Sequence, residues 1–147
     1  MRILVLNGPN LNLLGERERA LYGSTTLDGV EAVLSAEASR LSVEVTFFQS
    51  NHEGELSDRL HAARGQEDGV VFNPGGFTHT SVALLDAMLA VALPVVEVHV
   101  TNLCRREDFR RRSITAAGAL ARIDGFGIDG YRLALGGLVA HLQEQNR

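Results

Sequence analysis

Gly69-Val70-Val71-Phe72-Asn73 runs through Pro74-Gly75-Gly76-Phe77-Thr78-His79-Thr80-Ser81 into a helical stretch, then leaves it at Pro94 into Val95-Val96-Glu97-Val98-His99-Val100. This run decides the fold. Val70 to Asn73 is short and apolar and stops at Asn-Pro-Gly-Gly, which reads as a buried strand ending at a turn. Val82, Leu85, Met88 and Leu89 share helical spacing, so a helix is expected over about Thr80 to Ala92. Val95 to Val100 is the next strand. Strand, helix, strand in this order makes a βαβ unit, whose strands run parallel.

The same rhythm extends in both directions. Ile3 to Asn7 reads as a strand. Leu27 to Leu41 reads as a helix, with Thr25 as its N-cap and Asp28 three positions on. Val43 to Phe48, rich in Val, Thr and Phe, is a strand, and Glu53 to Arg64 is helix-like. Ala119 to Ile123 is a short fifth strand. Leu133 to Gln143 closes the chain as an apolar-faced helix that begins near Gly127. The pattern implies an α/β, flavodoxin-like, doubly wound parallel sheet with helices on both faces, in a single domain spanning residues 1–147. No linker, repeat or low-complexity tract interrupts it. Two connections, Gly8 to Ser24 and Thr101 to Ala117, are too long for simple turns, and long loops in such domains usually carry function.

Composition narrows the chemistry. With 147 residues and 45% hydrophobic side chains, the chain can bury a core and is not a disordered polymer. The formal net charge of -4 gives no bulk attraction to nucleic acid or membrane surfaces. Cys104 is the one cysteine, so neither an internal disulfide nor a zinc-ligating cysteine pair is available. The opening residues read directly as a strand, without the pattern of a secretory leader, and no apolar run reaches membrane-spanning length. A soluble cytoplasmic domain is the expectation. All 14 basic residues are arginine. No lysine side chain can form a Schiff base, so carbonyl chemistry here must use acids, bases and electrostatic groups.

In open α/β sheets, ligands sit beyond the carboxyl ends of the strands. Unusual polar residues collect at those ends in this sequence. Asn7-Gly8-Pro9-Asn10-Leu11-Asn12 follows the first strand, and Asn73 to Ser81 follows the third. Glu97 and His99, two apart, face the same side of the fourth strand. A carboxylate beside a histidine fixes its tautomer and favours its protonated form, which suits a general acid; it also describes a buried pair that only organises a core. The Gly75-Gly76 turn and the helix start after it favour an anion, whether a carboxylate or a cofactor phosphate.

The loop Gly15-Glu16-Arg17-Glu18-Arg19-Ala20-Leu21-Tyr22-Gly23 has the look of a lid or of a plain solvated surface. Tyrosine is a poor base at neutral pH unless a guanidinium stabilises the phenolate, and Arg17 and Arg19 are both candidates. Arg106 and Arg110, four apart, would share a helical face and could grip a carboxylate, or form a charged turn or subunit contact. His52 falls near the site rim. His61 and His141 read as structural or exposed, and nothing in the sequence poises Cys104 as a nucleophile.

Together these blocks resemble a known family. Asn7-Gly8-Pro9-Asn10-Leu11-Asn12-Leu13-Leu14-Gly15, Tyr22-Gly23-Ser24-Thr25-Thr26, Asn73 through Ser81, Glu97-Val98-His99-Val100-Thr101-Asn102 and Arg106-Glu107-Asp108-Phe109-Arg110 are similar, in order and register, to the signature of type II dehydroquinases. The resemblance covers residues from about 3 to 140. It implies 3-dehydroquinate dehydratase activity: anti elimination of water through an enolate, in the shikimate pathway or quinate catabolism. It further implies that Tyr22, as tyrosinate, is the base and that Arg17 makes it acidic enough. Asn10 would hold a water at the enolate, and His99, oriented by Glu97, would protonate the departing hydroxyl. Asn73, His79, Arg110 and the N–H groups of Val100 and Thr101 would bind substrate. Arg106 would sit near the lid, and Asp86 would reach a neighbouring subunit's site. The family implies a dodecamer of trimers, with no metal and no organic cofactor. One departure concerns the lid: the family often has Arg-Glu-Pro, whereas Arg17-Glu18 is followed here by Arg19. Loss of proline is expected to loosen the loop.

Two other functions fit the fold. A flavin- or phosphate-binding module would use the Gly75-Gly76 site, but the chain has no Trp and only two Tyr to stack on a flavin. A receiver-type signalling domain needs an acidic cluster with a phospho-acceptor Asp at the strand ends, and those ends carry Asn and His.

Overall fold

The structure, a computed structural model, describes all 147 residues. In chain order its elements are β1 (Arg2–Asn7), α1 (Arg19–Tyr22), α2 (Leu27–Leu41), β2 (Glu44–Gln49), α3 (Glu53–Ala63), β3 (Gly69–Asn73), α4 (Val82–Val91), β4 (Val95–His99), β5 (Ala121–Asp124) and α5 (Asp129–Gln145). All neighbouring strands are parallel, in the order β2-β1-β3-β4-β5. That is the flavodoxin-like, doubly wound order, as the sequence implied. No helix is long and apolar enough to cross a membrane.

The period-2 alternation of strand side chains builds two cores. Ile3, Val5, Val71, Val96 and Val98 face α2 and α5, meeting Val30, Leu34, Leu135 and Leu138. Leu4, Leu6, Val70, Phe72 and Val95 take the other face and meet Leu56 and Leu60 of α3 and Leu84 and Met88 of α4. Both sheet faces are therefore covered, which is why the inner strands are mostly apolar on both sides, with polar side chains only toward their carboxyl ends. Each fully buried Leu stabilises the fold by roughly 1.5–3 kcal/mol, and truncating one such as Leu34→Ala would cost about 2–5 kcal/mol.

Helix starts differ from expectation by a residue or two. Thr26, not Thr25, caps α2: its hydroxyl oxygen accepts the Gly29 N–H at 3.2 Å. The Thr25 methyl instead packs where a Gly29 side chain would stand. Ser81 caps α4 by accepting the Leu84 N–H at 2.9 Å, so the helix begins at Val82 rather than near Thr80. The fifth strand begins two residues later than the sequence suggested. The two long connections are built from short 3-10 turns and the single-turn α1, and they cover the carboxyl ends of the strands.

Candidate active site

The strand order reverses between β1 and β3, and a cavity of about 170 Å³ lies beyond their carboxyl ends. Pro9, Asn10 and Leu11 line it from the loop after β1, and Asn73, Gly75, Gly76 and His79 from the loop after β3. His99, Val100, Thr101 and Leu103 line it from β4 and beyond, with Arg17 and Tyr22 from the first long loop and Arg106 and Arg110 from the second.

The two inner strand ends meet closely. Gly8 N–H donates to the Asn73 carbonyl at 2.7 Å. A Cβ at Gly8 would stand 2.5 Å from the Pro74 carbonyl oxygen, so only glycine lets these backbones approach. Asn10 follows in a left-handed conformation (φ 67), which asparagine tolerates better than most residues. Its N–H donates to Asn51 Oδ1 at 2.9 Å, and Gln49 Nε2 donates to the Gly8 carbonyl at 3.2 Å. The end of β2 thus braces the loop that carries Asn10.

Tyr22 lies between two guanidinium groups. Arg106 Nη1 donates to its phenolic oxygen at 2.6 Å, and Arg17 stands over the ring with Cζ 4.9 Å from the centroid. The sequence had put Arg106 merely near the lid; here it is the arginine that reaches the hydroxyl, and Arg17 stacks on the face. The other arginine considered, Arg19, turns back so that its Nε donates to the Gly15 carbonyl at 2.9 Å, and it does not line the cavity. The residue before it, Glu18, is left-handed (φ 37, ψ 52). A proline at position 19 would push Glu18 toward extended backbone, so this lid geometry conflicts with the Arg-Glu-Pro pattern.

Glu97 and His99 project on one side of β4, as their spacing required. Glu97 is fully buried. His99 Nε2 meets Glu97 Oε1 at 2.6 Å, and Oε1 also accepts Thr78 Oγ1 at 2.7 Å and Ser113 Oγ at 3.0 Å. Thr115 Oγ1 donates to Oε2 at 2.6 Å. Burial penalises the charge on this carboxylate, but hydrogen bonds from His99, Thr115 and Thr78 outweigh it and hold Glu97 below the usual carboxylate range. With Nε2 committed to Glu97, Nδ1 is the ring nitrogen left for a ligand.

Asn73 is almost wholly buried. Its Oδ1 accepts the Gly75 N–H at 3.0 Å, and its Nδ2 donates to the Tyr131 hydroxyl at 2.9 Å. His79 points Nδ1 at the Arg112 carbonyl (2.7 Å) and meets the exposed Phe109 ring edge to face. Arg110 pairs with Glu107 at 2.8 Å. The N–H groups of Val100 and Thr101 donate to no protein acceptor, so both are available to an anionic oxygen. Three guanidiniums line the cavity and no carboxylate does, although Glu107 pairs with Arg106 and Arg110 from outside it, so the cavity has a positive character suited to an acidic ligand. Asp86 is the outlier, exposed on the outer side of α4 and not part of this chain's cavity. His52 is exposed at the start of α3 and does not line it either.

The model of the family "Dehydroquinase class II" matches residues 1–139. This chain belongs to the class II dehydroquinases. It is 54% identical over 143 residues to the 3-dehydroquinate dehydratase of a Nostoc species, covering 97% of each chain. It is 58% identical over 135 residues to the protein of that name from Desulforudis audaxviator, covering 92% of this chain and 90% of the other. The crystal structure of the type II dehydroquinase from Butyrivibrio crossotus superposes with a TM-score of 0.92 at 40% identity, covering 94% of this chain and 97% of that one. A class II dehydroquinase is a hydro-lyase, so the flavin and receiver readings fall away.

Three features that support the cavity walls escaped the sequence. Ser113 and Thr115 carried no signal beyond being hydroxyls in a long loop. Tyr131 did carry one: it heads the core stripe Tyr131, Ala134, Leu135, Leu138 of α5, and a buried tyrosine hydroxyl needs a partner.

Proposed function

We propose that the cavity dehydrates 3-dehydroquinate by a stepwise anti elimination, with Tyr22 as base and His99 as acid. Membership of the class II dehydroquinases makes the chain a 3-dehydroquinate dehydratase; the division of labour among its residues is the proposal. The observation that carries it is the pairing of a tyrosine held between two arginines with a histidine held by a buried carboxylate, on the walls of one cavity.

The Tyr22 phenolate removes a proton from the carbon next to the ketone. The C–H electron pair becomes the enolate double bond and the charge moves to oxygen. Arg106 and Arg17 make the phenolate available by stabilising its negative charge before the proton arrives. Stabilising the enolate oxygen is the largest electrostatic demand on the site, and Asn10 meets it through a held water. The enolate then collapses, a conjugated double bond forms, and the C–O bond to the leaving hydroxyl breaks as His99 Nδ1 protonates it. His99 must start doubly protonated, since Nε2–H is shared with Glu97; the ionised Glu97 supports that imidazolium. Tyr22 has gained one proton and His99 has lost one, and exchange with solvent resets both. The substrate carboxylate is held by Val100 and Thr101 N–H groups, and Asn73, His79 and Arg110 take the remaining oxygens.

The subunit is further proposed to work in a dodecamer, in which the exposed Asp86 meets a neighbour's cavity. Val82 and Leu89 leave apolar surface on the same helix. Light scattering should then return a mass near twelve times 15.9 kDa.

Ultraviolet absorbance tests the assignment. Protein mixed with 3-dehydroquinate should generate the conjugated enone of dehydroshikimate, and Tyr22→Phe should generate almost none while keeping its fold. A Tyr22→Phe variant with the wild-type rate would remove Tyr22 from the base role.

A further inference from the structure

We infer that Tyr131, directly behind the cavity wall, is a positioning residue that fixes which atoms of Asn73 face the substrate. The hydroxyl has one hydrogen, and it is spent on Asn7 Oδ1 at 2.6 Å. The phenolic oxygen can therefore only accept from Asn73, which sets the Nδ2 end of that amide against Tyr131. The Gly75 N–H on Oδ1 fixes the other end in the same sense. Two independent contacts thus define an amide orientation that side-chain shape alone would leave open. One N–H of Asn73 is used inward, and the second is the donor left for a ligand oxygen.

Asn7, Asn73 and Tyr131 come from β1, β3 and α5, and all are buried; Tyr131 has no exposed surface at all. Asn7 and Asn73 are register partners on adjacent strands, so the hydroxyl bridges the two strand ends at the point where the sheet order reverses. Burial raises the Tyr131 phenol well above its ordinary range, so it remains a neutral donor at any working pH. Removing only this oxygen would leave a buried N–H and a buried carbonyl without partners. The Asn73 amide would then rotate or shift to recover a bond.

This inference rests on the reading of Asn73 as a substrate ligand. Its effect belongs to binding shared by substrate and transition state, so it should appear in KM and spare kcat. Tyr131→Phe keeps the ring that fills the core, and should raise KM for 3-dehydroquinate by roughly three- to tenfold. Kcat should stay within about twofold, since a uniform binding term cancels from it. In an Asn73→Ala background the same change should have no further effect on KM, because the amide it positions is gone. A fully additive effect in that background, or an unchanged KM in Tyr131→Phe, would overturn the inference. A second readout needs no substrate: hydrogen exchange at the Asn73 side-chain amide, followed by NMR, should speed up at least tenfold in Tyr131→Phe, as expected when a buried donor loses its partner. Unchanged protection would also overturn it. Failure of wild-type protein to turn over 3-dehydroquinate would instead strike the dehydratase reading, with the amide measurement still deciding the role of Tyr131.

Discussion

Replacing Arg106 by methionine should separate the two arginines that flank Tyr22. The side chain of Arg106 is only 10% exposed, and its Nη1 lies 2.6 Å from the phenolic oxygen. Arg17 approaches the ring face instead, at 4.9 Å. A short, charge-assisted hydrogen bond in such a setting contributes about 1.5–3 kcal/mol, whereas a cation over an aromatic face contributes about 0.5–2 kcal/mol. At roughly 1.4 kcal/mol per decade, Arg106→Met should lower kcat/KM at pH 7 by about 10- to 150-fold. Arg17→Met should cost less. The assay is enone formation from 3-dehydroquinate at pH 7, with circular dichroism to confirm folding. A folded Arg106→Met enzyme that matches wild type at pH 7, or a larger deficit in Arg17→Met, would refute the claim that the hydrogen bond matters more than the stacked charge.

Two further outcomes follow from the same geometry. Glu97 is held below the ordinary carboxylate value of 4.5, so its share of stability is present above that pH and disappears as pH falls through the folded-state value. The melting temperature gap between wild type and Glu97→Gln should therefore narrow below about pH 4.5; a constant gap would contradict the sign. Gly8→Ala should destabilise the fold by about 1–3 kcal/mol in chemical denaturation, because its Cβ meets the Pro74 backbone at 2.5 Å. A fully stable Gly8→Ala protein would mean that the strand ends can separate freely.

Much of the fold could be read because it depends on patterns a sequence displays openly. Val70 to Phe72 is apolar throughout and Val95, Val96 and Val98 dominate β4 because both sheet faces are buried, and the Asn-Pro-Gly-Gly turn between strand and helix marks where the chain reverses. The Glu97 and His99 partnership was visible as well, since strand spacing alone places both on one side. Helix starts were less legible: Thr25 and Thr26 are chemically alike, and only the turn geometry decides which one caps α2. Contacts between distant segments were the least legible. Arg106 meets Tyr22 across 84 residues, and Tyr131 meets Asn7 across 124. Nothing local in the chain encodes such a pairing, because each requires the finished sheet to bring its strand ends together. The hydroxyls of Ser113 and Thr115 were hidden for the same reason, being supplied to Glu97 by a loop with no regular period.

In the proposed stepwise reaction Tyr22 makes the enolate and His99 releases the hydroxyl. His99→Ala should stop dehydration yet leave proton removal intact. In deuterium oxide, NMR of 3-dehydroquinate incubated with His99→Ala should show exchange of the hydrogen next to the ketone well above the enzyme-free rate. That exchange should vanish when Tyr22→Phe is added. Exchange that persists without Tyr22, or none at all in folded His99→Ala, would contradict the account.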